Sequence, residues 1–104
     1  MNKEEIRKWG YDLGADAVGF AAIDDYRSPN SPDPDKLLPG VRSIVVLGFK
    51  ELNGGLESPV GRLSMMNRLC SMDAAKSAVY SLGKQVEIRM NAKTAPVLFS
   101  YPLD

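Results

Sequence analysis

The sequence predicts an α/β fold of the α+β sandwich type, in which a small mixed sheet of three to four strands packs against a long helix and an N-terminal helix. Three observations predict it. Residues 3–13 place apolar side chains on one helical face, residues 41–50 form a nearly continuous apolar run, and residues 59–82 repeat apolar positions at helical spacing. At 104 residues, the chain is expected to form a single domain, residues 1–104.

The N-terminal helix is predicted over residues 3–13. Asn2 is a suitable N-cap, because its side chain can accept a hydrogen bond from the first helical turn. Ile6, Trp9 and Leu13 recur at i, i+3 and i+7, so they share one face, and Trp9 is predicted to anchor the core. Gly14 supplies the residue at which the helix ends.

Two strands are predicted before the long helix. Residues 16–23, DAVGFAAI, are rich in small and β-prone residues. Residues 41–50, VRSIVVLGFK, are apolar at successive positions, which is typical of a strand covered by helices on both faces of its sheet.

The long helix is predicted to begin with Ser58 as N-cap and Pro59 as first residue, and to end at Gly83. Met65, Met66, Met72 and Met90 are predicted to fill the core, with an adaptable dimer or cofactor surface as the alternative. Cys70 is predicted to behave as a small apolar side chain. Apolar and small residues follow two stripes: Leu63, Met66, Cys70, Ala74, Ser77 and Ser81 form one, and Met65, Leu69, Met72 and Val79 form the other.

A third strand is predicted at residues 85–91, QVEIRMN, where apolar and polar residues alternate. Because a helix would connect it to the second strand, the two strands are expected to be parallel, with a right-handed crossover. So few strands leave sheet edges uncovered. The sequence therefore predicts either a homodimer or a missing C-terminal partner.

Residues 24–40 form a long loop with four prolines in seventeen positions. Loops of this length in small domains are uncommon and are often functional. Tyr26 and Arg27 are its most chemically capable members. They are interpreted either as surface residues or as residues that close over a bound ligand.

Composition excludes several functions. Thirteen acidic residues balance thirteen basic ones, which disfavours nucleic-acid binding, and no stretch approaches the length of a membrane span. A single cysteine and a polar N-terminus indicate a cytoplasmic protein. One cysteine and no histidine cannot form a Cys/His zinc site, a cysteine-ligated iron–sulfur cluster or a Ser-His-Asp triad.

Three segments together carry a family resemblance: LGADAVGFAAI (13–23), LPGVRSIVVLGF (38–49) and GRLSMMNRL (61–69). They resemble the N-terminal region of epoxyqueuosine reductase and reductive dehalogenase-like proteins, a group of iron–sulfur proteins. The resemblance implies a nitroreductase-like domain that cradles a corrinoid such as cobalamin, and a downstream ferredoxin-like part with two [4Fe–4S] clusters. This chain has no CxxCxxCxxxCP motif, so it is expected to carry no iron–sulfur cluster.

Arg62, Ser64 and Asn67 are the candidate cofactor-binding residues, together with Tyr26 and Arg27. The first three lie in the first turns of the long helix, where a corrinoid or FMN would find hydrogen-bond donors. The alternative for Arg62 is an exposed side chain without a ligand.

Three functions follow from these observations. The first is a cofactor-cradling domain of an epoxyqueuosine reductase-like oxidoreductase, catalytically incomplete by itself and supplied with electrons by a ferredoxin-like partner. The second is a non-enzymatic module that dimerises or binds a protein partner. The third is flavin-dependent reduction of a small substrate, in which the flavin supplies all of the redox chemistry. The chain itself is interpreted as a fragment, a short paralogue or half of a split system.

Overall fold

The computed structural model describes residues 2–25 and 33–97. These residues form a mixed α/β fold, which confirms the predicted class at this level. The element order is α1 (Lys3–Asp12), β1 (Ala17–Ala22), a 3-10 turn (Ile23–Asp25), α2 (Pro34–Leu37), β2 (Ser43–Gly48), α3 (Asn53–Glu57) and α4 (Gly61–Met90).

Helix α1 begins where the capping pattern predicts. The Asn2 side-chain oxygen accepts a hydrogen bond from the Glu5 backbone N–H at 3.2 Å. The helix ends at Asp12, one residue before the predicted end, and Gly14 follows with a φ of +102°. This positive φ favours glycine and lets the chain turn from α1 into β1.

The strands β1 and β2 pair antiparallel. Ala17 lies opposite Gly48, and Ala22 lies opposite Ser43. Both strands fall within their predicted ranges. Residues 2–25 and 33–97 contain this two-stranded sheet in place of the three to four strands that the sequence predicts.

The predicted third strand is wrong, because residues 85–90 belong to α4. Val86 and Met90 continue a series at i+4 spacing that begins at Ala78 and Leu82, and this series faces the core. Extending an existing helix adds a hydrogen bond for each residue fixed, whereas a separate strand would need a new partner. Ile88, which the strand prediction places on the buried face, is 78% exposed on the helix. Without the third strand, the expected parallel crossover is also wrong.

The predicted start of α4 is also wrong. The helix begins at Gly61, with Val60 as its N-cap residue. Ser58 instead closes a local turn, in which its hydroxyl oxygen accepts a hydrogen bond from the Val60 N–H at 3.1 Å.

Gly83 does not end α4; Asn91 does. Asn91 adopts the left-handed conformation, with φ 52° and ψ 44°, which commonly terminates helices. The following residues turn back along the helix, so that the Thr94 hydroxyl donates to the Gly83 carbonyl oxygen at 3.4 Å. A Cβ on Gly83 would lie 3.0 Å from that hydroxyl oxygen, so the glycine permits the close approach of this returning segment.

The core lies between α1, the second half of α4 and one face of the sheet. Ile6, Leu82 and Val86 are buried at its centre, and each contributes about 1.5–3 kcal/mol through apolar burial. As predicted, Trp9 packs against this centre. The other partly buried side chains around it are Leu13, Phe20, Val45, Leu47 and Met90.

Within the described residues, helices pack on one face of the second strand, whereas the sequence predicts cover on both faces. Val45 and Leu47 point toward the core, whereas Val46 is 56% exposed and lies opposite Gly19. The reason is that α1 and α4 both pack on the same face of the sheet.

No helix in residues 2–25 and 33–97 combines the length and the apolar character that a membrane span requires.

Candidate functional site

The first two turns of α4 carry the predicted residues Arg62, Ser64 and Asn67, but they do not bring them together. At about 100° of rotation per residue, Arg62 and Ser64 project roughly 160° apart around the helix. Arg62 is exposed, whereas Ser64 and Asn67 are half-buried. The three side chains therefore do not converge on one ligand.

Asn67 attaches α3 to α4. Its side-chain oxygen accepts a hydrogen bond from the Leu52 N–H at 3.3 Å, and its amide nitrogen donates to the Leu52 carbonyl oxygen at 3.0 Å. The Asn67 amide thus bonds both backbone groups of Leu52, the N-cap residue of α3. Its role in this structure is to hold two helices together.

The glycine pair that precedes α4 in sequence lies inside α3. Any Cβ placed on Gly55 would overlap the Asn67 side chain. Gly55 is therefore required for the close approach of the two helices. Gly54 meets no such obstacle, because no atom lies within 4 Å of the position that its Cβ would take.

An open cleft of about 340 Å³ separates α3 from α4. This volume is near the lower end of the range for small-molecule sites. Among the lining residues, only Asn67 has an amide side chain, and both of its polar ends are bonded to Leu52. The described lining of the cleft therefore offers apolar contact surface and no charged group. Its lining consists of Leu52, Gly54, Gly55, Leu63, Met66, Asn67 and Cys70.

Large apolar side chains cover the rest of this end of the molecule. Leu63 and Met66 point into the cleft, and they are 50% and 58% exposed. Met65, Leu69 and Met72 form a second stripe at i, i+4 and i+7, about 120° around the helix from the first. These three are 65%, 53% and 39% exposed.

We name this surface the apolar end. It comprises eight exposed residues: Leu52, Leu56, Val60, Leu63, Met65, Met66, Leu69 and Met72. Their exposed fractions correspond to an area on the order of 800 Å², larger than the apolar patches that monomeric proteins usually expose. A helix that is apolar around its circumference is typically buried by protein on several sides.

The predictions for Cys70 and for three of the four methionines on α4 are wrong. Met65, Met66 and Met72 do not fill the core, because the first half of α4 extends beyond it; Met90 does pack against the core. Cys70 is a free and exposed thiol that lines the cleft, not a buried apolar side chain.

The charged pair Asp73 and Lys76 follows Met72 along this half of α4. Lys76 Nζ lies 3.6 Å from an Asp73 carboxylate oxygen, one turn apart, and both side chains are exposed. Such a pair contributes little to stability. Arg62 and Arg68 are exposed without an ion pair to an acidic residue of the described ranges.

Tyr26 and Arg27, the two remaining candidates, lie outside the described residues. Within the described ranges, no group of three or more His, Cys, Asp or Glu side chains is placed to hold a metal ion. The residues that sequence reasoning missed are Leu52 and Leu56. Helix α3 has no clear signal, because the glycines in LNGGLE are typical of a turn.

Comparison with protein-family models, curated protein sequences and solved structures finds no match for this chain.

Proposed function

We propose that this chain is an assembly module whose apolar end is buried against a second copy of itself. One observation carries the proposal: α4 continues beyond its own core and exposes apolar side chains on two stripes. Exposed apolar surface in water is costly, at about 25 cal/mol for each Å². Covering it with protein removes this cost.

The size of the apolar end suits a two-fold dimer. Two such surfaces in contact would bury at most about 1,600 Å², which is the standard size of a specific protein–protein interface. In a two-fold dimer, both partners contribute the same surface, so no second kind of surface is needed.

The second stripe also has the spacing of a helix–helix seam. Met65, Leu69, Met72, Lys76 and Val79 alternate steps of four and three residues, which is the a/d spacing of paired helices. Lys76 is the one polar member. A single polar position of this kind is tolerated in a seam and helps to set the register of the pair.

The test is the mass of the folded protein in solution, measured by sedimentation velocity and light scattering. We expect a dimer at micromolar concentration for the natural sequence, and a folded monomer for Leu69→Glu. The matched control is Ile88→Glu, which changes a more exposed residue of the same helix outside the apolar end. A folded monomer for the natural sequence, or dissociation by both substitutions, would reject the proposal.

A second candidate function is supported by the sequence resemblance. In it, the chain is the nitroreductase-like, cofactor-cradling domain of an epoxyqueuosine reductase-like oxidoreductase. The domain would bind cobalamin or FMN, would be inactive alone, and would receive electrons from a ferredoxin-like partner. The α3–α4 cleft is the surface that favours this function; Arg62, on the first turn of α4, is not one of its described lining residues.

The cofactor function requires hydrogen-bond donors on this surface, whereas assembly requires apolar contact. Asn67 is engaged with Leu52, so Arg62 would be the principal donor to a phosphate or a corrin amide. We expect titration of hydroxocobalamin or FMN to give a saturable absorbance change that Arg62→Ala weakens. Arg68→Ala, on the same helix, serves as control. Absence of binding by both compounds to folded protein would rule this function out for the chain.

A further inference from the structure

Methionine is concentrated in the apolar end. Met65, Met66 and Met72 lie within eight residues of α4, and their side chains are 65%, 58% and 39% exposed. Met90, at the other end of the same helix, is partly buried against the core. The surface proposed for assembly thus carries three accessible thioethers, whereas the thioether of Met90 is partly buried.

We propose that Met65, Met66 and Met72 are modification sites for hydroperoxide oxidants, and that their oxidation switches off association of the chain. This inference rests on the proposed function, because it concerns the same surface. Oxidation acts on the free protomer, in which the sulfur atoms are accessible. Association covers them, so the modified and the assembled forms exclude each other.

The reaction needs hydrogen peroxide as its oxidant and no other reactant. The thioether sulfur attacks one peroxide oxygen with its lone pair, the O–O bond breaks, and an S–O bond forms. The departing hydroxide takes up the remaining proton and leaves as water. The sulfur is oxidised by two electrons to a sulfoxide, and the peroxide is reduced by two electrons.

Oxidation opposes assembly because it changes the polarity of the contact surface. A sulfoxide carries a strong hydrogen-bond acceptor, and a buried acceptor without a donor is unfavourable. Along the two stripes, the neighbours of Met65 and Met66 include Leu63 and Leu69, whose side chains have no donor; Lys76, one turn after Met72, is the donor in the second stripe. Methionine-rich interfaces are disrupted by this modification for the same reason.

The experiment uses the full chain with Cys70→Ala, which removes the exposed thiol as a competing target. The protein is treated with hydrogen peroxide, the position of each added oxygen is mapped by peptide mass spectrometry, and the dimer dissociation constant is measured by sedimentation. We expect Met65, Met66 and Met72 to oxidise before Met90, and the dissociation constant to rise by about tenfold or more. Methionine sulfoxide reductases should restore it.

The control is a variant in which Met65, Met66 and Met72 are all changed to leucine in the same Cys70→Ala chain. Leucine conserves the volume and cannot be oxidised, so this variant should associate and resist peroxide. The inference is overturned if the oxidised natural residues leave the dissociation constant unchanged, if the leucine variant also dissociates in peroxide, or if Met90 oxidises as fast as the other three. A monomeric untreated protein would instead reject the assembly proposal, and the order of oxidation would still test the modification sites.

Discussion

The two halves of α4 have similar apolar content, but the second half packs into the core and the first half exposes its large apolar side chains. In the second half, Ala78, Leu82 and Val86 are 2%, 5% and 7% exposed. In the first half, every large apolar side chain from Leu63 to Met72 is at least 39% exposed. The difference teaches that a helical apolar pattern predicts a surface to be covered but not the group that covers it.

The length of α4 explains the contrast. Thirty residues of helix extend about 45 Å, which matches the 46 Å long dimension of the molecule. Helix α1 and the sheet are shorter, and the core that they form with α4 includes Leu82, Val86 and Met90 from its second half. The first half meets the five-residue helix α3, held by Asn67.

The largest expected change in the free energy of unfolding comes from a substitution in the buried second half of α4. Leu82→Ala removes a 5% exposed side chain from the core centre and should lower the free energy of unfolding by about 2–5 kcal/mol. Urea unfolding followed by circular dichroism measures this change. Ile88→Ala, in the same half but 78% exposed, should change it by about 0.5 kcal/mol or less. Equal costs for the two would contradict the burial contrast on which the comparison rests.

The next largest effects on stability are expected at Gly10 and Gly54, and they have opposite signs. A Cβ on Gly10 would lie 2.8 Å from Val18 Cγ2 and 3.1 Å from Leu47 Cδ2, so Gly10→Ala should overpack the core and cost about 1–3 kcal/mol. Gly54→Ala has open space and a helical backbone, so it should stabilise α3 by about 0.5–1 kcal/mol. Thermal unfolding of the two variants checks the opposite signs; destabilisation by both would mean that α3 is not packed as described.

A smaller effect concerns the attachment of α3. Asn67→Leu removes both hydrogen bonds to Leu52 and should cost about 1–2 kcal/mol. Hydrogen exchange of the Leu56 amide, which donates to the Leu52 carbonyl oxygen, should become faster. Ser71→Ala, which removes a hydrogen bond to the Arg68 carbonyl oxygen within α4, is the control and should leave that exchange unchanged. Unaltered exchange in both variants would show that Asn67 does not hold α3.

The smallest expected effect lies far from the apolar end. Asn2→Ala removes the N-cap of α1 and should lower the free energy of unfolding by about 1 kcal/mol, whereas Asn2→Ser should keep most of it. The measurement is again urea unfolding. A loss of equal size in both variants would assign the effect to packing instead of the cap.

Local signals predicted the early part of the fold well. The cap at Asn2, the turn at Gly14 and the two strands depend on neighbouring residues, and the structure places them within about two residues of the prediction. The third strand failed because Val86, Ile88 and Met90 fit a strand as a local pattern, while Val86 and Met90 also fit the helical series from Ala78. Only contact with the core distinguishes the two.

For the candidate site, the sequence indicated which residues can form hydrogen bonds but not which partners they have. The residue types in the first turns of α4 indicate hydrogen-bonding capacity, and Asn67 does use it, but its partner is Leu52, fifteen residues away in sequence. No local pattern specifies that pair.

The amino-acid sequence alone dictates that α1 begins at its cap, that β1 and β2 are extended, and that α4 is apolar on more than one side, because these properties arise from the side chains and their nearest neighbours. The tertiary structure decides that α4 continues to Met90 and that its first half extends past the core to form the apolar end. The physical reason is that burial depends on which distant segments reach a surface, and the core that α1, β1 and β2 build includes Leu82, Val86 and Met90 from the second half of α4.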